Sequence, residues 1–146
     1  MEKTELLSEL NYAKHQLSSY KSKLSTLKDK LSTAETFSAE CASHISSFEE
    51  SISKRKSRLL SFDTLISGVK SASKYKEKMN NMLSGAEYNT TVASISHLQT
   101  SVSSEKRKII EDIQYVEEQI SYWSSRASIL QYEYDNYQEE VENSVE

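Results

Sequence analysis

Residues 10–31 read LNYAKHQLSSYKSKLSTLKDKL, and Leu10, Ala13, Leu17, Tyr20, Leu24, Leu27 and Leu31 recur there in alternating steps of three and four. The alternation runs on through Ala34, Ser38, Cys41, Ile45, Phe48, Ile52, Arg55, Leu59, Phe62, Ile66 and Val69. A period of about 3.5 residues holds one stripe of a slightly underwound helix against a partner. Amphipathic helices of globular proteins seldom keep that period beyond about 25 residues. The first half of the chain therefore reads as a coiled-coil helix, and it needs a partner.

A matching stripe lies in the same chain, and the hairpin either closes its seam alone or pairs with a second copy. A second stripe runs Tyr88, Val92, Ile95, Gln99, Val102, Lys106, Ile109, Ile113, Val116, Ile120, Trp123, Ala127, Leu130, Tyr134, Tyr137, Val141. Between the stripes the period breaks at Gly68, and Val69, Ala72, Tyr75, Met79, Met82 and Leu83 form a short, turn-rich segment out of frame with the second stripe. Ser84-Gly85-Ala86-Glu87 has the form of a capping box, in which a hydroxyl and a carboxylate satisfy each other's backbone amides. The expected fold class is all-α: one antiparallel helical hairpin over residues 1–146. Arm 1 covers about 3–67, the connector about 68–84 and arm 2 about 85–143. At about 1.5 Å per residue each arm spans on the order of 80–95 Å.

Composition supports helices coated with polar residues. The 146 residues are 36% hydrophobic, with no proline and only two glycines, whereas a disordered chain of this polarity is usually rich in both. A narrow seam has little room to enclose a substrate, which argues against an enzyme. The net charge of −4 gives no general attraction to nucleic acid or to an anionic membrane. No apolar run approaches the roughly 20 residues that cross a bilayer. Met1-Glu2-Lys3 leads into the heptads without an apolar signal region, so the expected location is cytoplasmic, with export by a route that needs no signal peptide left open. Serine is a mediocre helix former, so stability should come from the seam.

Charge offers a test of direction, since flanking charges set orientation in coiled coils. If the arms fold back near the middle of Gly68–Glu87, Glu133, Asp135, Glu139, Glu140 and Glu142 lie beside Lys14, Lys21 and Lys23. Lys106, Arg107 and Lys108 then come near Glu49 and Glu50. Lys54, Arg55, Lys56 and Arg58 would join Lys106–Lys108 in a basic belt able to meet acidic partners or phosphate. The neighbouring acids and the overall acidity favour a solvated face instead.

No catalytic constellation stands out, and no cofactor loop is present. Cys41 and His44 are spaced to share a metal ion, but a metal site needs three or four ligands and no second pair exists. Cys41 also falls in the seam, where a small thiol is an ordinary choice. Asn89-Thr90-Thr91 matches a glycosylation acceptor only formally. The aromatic residues are gathered in the last third. Trp123, Tyr134 and Tyr137 fit the seam, whereas Tyr115, Tyr122 and Tyr132 fall off it, as residues of a protein-binding face would.

A small, proline-free helical hairpin with a hydrophobic-x-Gly break resembles the WXG-like proteins of type VII secretion. More closely, it resembles the helical targeting factors encoded beside LXG toxins in the type VIIb systems of Gram-positive bacteria. Ile66-Ser67-Gly68 with Ala72 and Tyr75 fits the family's bend, and Leu83-Ser84-Gly85 with Tyr88 fits it almost as well. The family's tryptophan is absent from both. In Tyr132-Glu133-Tyr134-Asp135 and Tyr137-Gln138-Glu139-Glu140 the acid comes one residue earlier than in the family's export signal. The resemblance implies a companion or chaperone that binds a toxin's helical N-terminal domain, with a second small helical targeting factor as a further partner. It implies partner contacts at Phe62, Ile109, Tyr115, Tyr122 and Trp123, while the residues themselves point to neither cofactor nor metal. The alternative expectation is a structural coiled-coil scaffold or spacer that forms homodimers or larger homo-oligomers.

Overall fold

The computed structural model describes residues 2–65 and 70–143, with side chains described for 2–61, 70 and 73–137. Among the described residues the helices are α1 (Lys3–Leu65), α2 (Lys70–Ser84) and α3 (Ala86–Asn143). The fold class is all-α, with the antiparallel pairing of a helical hairpin. Ile66 and Gly68, expected at the bend, lie outside the described residues. The connector differs from expectation: its residues 70–84 form a regular helix.

Local interactions fix where the helices begin. The Glu2 carbonyl accepts the first helical bond, from the Leu6 amide, and the Glu5 carboxylate accepts from the Glu2 amide at 3.0 Å. That is half of a capping box, and it also sets an acid at the positive end of α1. The start of α3 departs from expectation. Ser84 ends α2, and the carbonyl of Gly85 accepts from the Asn89 amide, so Gly85 is the cap residue. A Cβ at Gly85 would collide with the carbonyl oxygen of Asn81, which is why glycine stands there. The serine-rich helices also contain their own hydroxyls. Thr26, Ser61, Thr91, Thr100 and Ser128 each donate to the carbonyl four residues back.

The chain divides into two compact units: Met1–Ser32 with Arg107–Glu146, and Thr33–Lys106. In the first, Leu6, Leu10, Ala13, Ala127 and Leu130 form a buried cluster, with Trp123, Tyr134 and Tyr137 packed against it. Ile109 and Val116 are buried further along the same helix. The pairs Glu9–Arg126, Tyr12–Trp123 and Lys3–Tyr134 set the register. Rising numbers in α1 meet falling numbers in α3, so the helices are antiparallel. Lys14 donates to Gln131, which in turn donates to Asp135, so among the described residues Asp135 is linked to Lys14 only through Gln131. Lys23 lines a groove with Asp112, Tyr115 and Val116 in place of the expected acidic residues.

The second unit follows the same rule with weaker residues. Phe48 stacks on Tyr88 at 6.0 Å, and Lys56 sets its ammonium 5.7 Å from the centre of the Tyr88 ring. Among its described residues only Leu59 and Leu83 are buried hydrophobics. The stripe changes order here. Arg55, expected in the seam, is exposed, and Lys56 is half-buried in its place. A lysine can do this because its methylene stem packs while its charge sits over an aromatic face.

Within the second unit, the described neighbours of Glu49 and Glu50 differ from the expected ones. Glu49 shares a groove with Val92, Ile95, Ser96 and Gln99, and Glu50 pairs with Lys54 on its own helix. The expectation took the middle of 68–87 as the fold point, whereas Tyr12–Trp123 and Phe48–Tyr88 are both centred well before it.

Candidate partner-binding face

In the first unit the buried stripe of α3 is flanked by a second, exposed one. Tyr115, Tyr122 and Ile129 are seven residues apart, one heptad each, and are 56%, 58% and 51% exposed. Each precedes a seam residue, Val116, Trp123 or Leu130, so the exposed stripe borders the core directly. From α1, Tyr12 joins the same face. The Trp123 indole lies between two tyrosines, edge-on to Tyr12 at 5.6 Å and to Tyr122 at 5.0 Å. Edge-to-face pairs of this kind are worth about 0.5–1.5 kcal/mol beyond the area they bury.

A groove of about 420 Å³ opens beside this cluster, lined by Ser8, Glu9, Tyr12, Tyr122, Trp123, Arg126 and Leu130. Arg126 and Glu9 pair across it at 2.9 Å with both side chains partly in solvent, so the pair guides orientation more than it stabilises. A second groove, about 350 Å³, lies between Lys23, Thr26, Leu27 and Lys30 on α1 and Asp112, Tyr115 and Val116 on α3. Tyr115 hydrogen-bonds to Tyr20, which favours its protonated phenol and raises it from its ordinary value of 10.0. Lys23 sits 4.9 Å from the centre of the Tyr20 ring.

One atom on this face is unsatisfied. The Trp123 indole Nε1 is buried and, among the described residues, has no hydrogen-bond partner. An indole can only donate, and leaving a buried donor unpaired costs about 1–3 kcal/mol.

Of the five partner residues expected from sequence, Tyr115, Tyr122 and Trp123 share this face. Ile109 is buried at 7% exposure, so a partner reaches it only where the helices part. The Phe62 side chain lies outside the described residues. At the second expected bend Leu83 is buried at 3%, and Gly85 separates α2 from α3. Sequence reasoning missed Tyr12, Ile129 and Arg126. Ile129 was visible as one heptad beyond Tyr122. Tyr12 and Arg126 required the register between helices.

Among the described residues no three His, Cys, Asp or Glu side chains come together as a metal site. Cys41 is half-buried in the seam, and His44 is exposed. No described helix is long and apolar enough to cross a membrane. No family model matches the chain, and neither the curated proteins nor the solved structures contain a match.

Proposed function

We propose that this chain is a non-enzymatic helical adaptor that binds the helical N-terminal domain of an LXG-type toxin and helps target it for type VII secretion. The observation that carries the reading is the exposed heptad stripe of Tyr115, Tyr122 and Ile129 beside the seam. A long helix recognises such a stripe through contacts at its own heptad spacing, and Tyr12 and Trp123 extend the surface onto α1. Tyrosine, tryptophan and arginine are the residues that most often dominate binding energy. A carbonyl or carboxylate of the partner would also satisfy the Trp123 N–H once the ring cluster shifts. In this reading Phe62 is a further contact, and a second small helical factor supplies the export signal. The adaptor meets its toxin in the cytoplasm.

The test is co-expression with a co-encoded LXG-type N-terminal domain, read by co-purification and size-exclusion chromatography. The complex should co-elute, and Tyr115→Ala with Tyr122→Ala should weaken it at least tenfold without loss of helical circular dichroism. Absence of co-elution sinks the reading. If the chain alone is instead a homo-oligomer that the same two substitutions dissociate, the stripe serves a homo-oligomeric scaffold.

A further inference from the structure

The second unit carries a helix surface that the adaptor reading does not use. Lys70, Lys74 and Lys78 recur every four residues of α2 and are all exposed. At about 100° per residue they occupy one arc of roughly 80°. Next to that arc lie Tyr75 and Met82, 54% and 51% exposed. Beyond them come half-buried Met79 and buried Leu83. Around α2 the order is thus lysine stripe, exposed apolar strip, packed side.

The charge here is local. Residues 54–78 hold eight basic side chains against two acidic ones, whereas residues 107–146 hold three against ten. The overall −4 averages over this separation. Arg55 and Arg58, both exposed on α1, belong to the same unit as α2.

We propose that α2 is an interfacial helix that rests this protein on an anionic membrane surface. Lys70, Lys74 and Lys78 meet the phosphate headgroups, and Tyr75 and Met82 enter the boundary between headgroups and acyl chains. A short helix with lysines along one side and apolar side chains along the next is built for that boundary. Nucleic acid phosphate would take up the charge but offer nothing to Tyr75 and Met82. The proposal is independent of the adaptor reading.

The test is sedimentation of the full-length protein with phosphatidylcholine vesicles, with and without phosphatidylglycerol. Binding should require the anionic lipid and fall as salt rises. Each Lys→Gln change at 70, 74 or 78 should weaken it about fivefold, following the ~1 kcal/mol that a surface lysine contributes. Tyr75→Ser with Met82→Ser should weaken it about tenfold, the share expected of partial apolar burial. All five side chains are exposed, so circular dichroism should be unchanged. Absence of vesicle binding at low salt, or equal binding to neutral vesicles, overturns the proposal. So does full binding by the double serine variant together with displacement by duplex DNA, which would mark a simple polyanion contact.

Discussion

The two units repeat one heptad pattern with different side chains. The first places Leu6, Leu10, Val116 and Leu130 in its seam and buries them. The second offers Ala34, Ser38 and Cys41 in succession, all only half-buried, then borrows a lysine stem and stacked rings to continue. Period alone therefore brings two helices together, and side-chain volume decides how firmly. Fully burying a leucine contributes about 1.5–3 kcal/mol, whereas a half-buried serine or alanine contributes a small part of that. The unit with the firm seam is also the one that can carry an exposed aromatic stripe. Tyr115, Tyr122 and Ile129 stand outward beside the buried Val116 and Leu130.

The largest expected effect breaks or upholds that difference directly. Leu10→Ala should cost about 2–5 kcal/mol in urea unfolding, because Leu10 is 2% exposed and the hole is enclosed. Ile45→Ala, at a half-buried position of the second unit, should cost about half as much or less. Equal losses would mean that the units are equally firm. Gly85→Ala should come next, at more than about 1 kcal/mol, since the new methyl meets the Asn81 carbonyl oxygen. Thermal denaturation measures it, and a neutral result would show that the α2–α3 junction yields freely.

Ser38→Leu sharpens the comparison from the other side. Enlarging a small seam residue should raise stability by about 1 kcal/mol and slow amide hydrogen exchange in residues 33–106. Loss of stability would mean that the helices approach too closely there for a larger side chain. The smallest effect belongs to Glu9–Arg126. A double-mutant cycle should give about 0.2–1 kcal/mol, decreasing with salt, because both side chains are well exposed. A larger coupling would make this pair a structural clamp of the groove.

The sequence by itself determined the helices and the stripes that face inward. Lys3 starts α1 as expected, and nearly every described residue of both stripes is buried or half-buried, Arg55, Val92 and Gln99 being the exceptions. Periodicity is a property of one helix and can be counted along one chain. Tertiary structure alone decided the pairing between helices. Fold-back position sets which side chains become neighbours, and the facing of Tyr12 with Trp123 and of Phe48 with Tyr88 puts it earlier in the chain than the middle of residues 68–87. The same dependence hid Tyr12 and Arg126 from the candidate face, because a residue on one helix joins a site on another only through register.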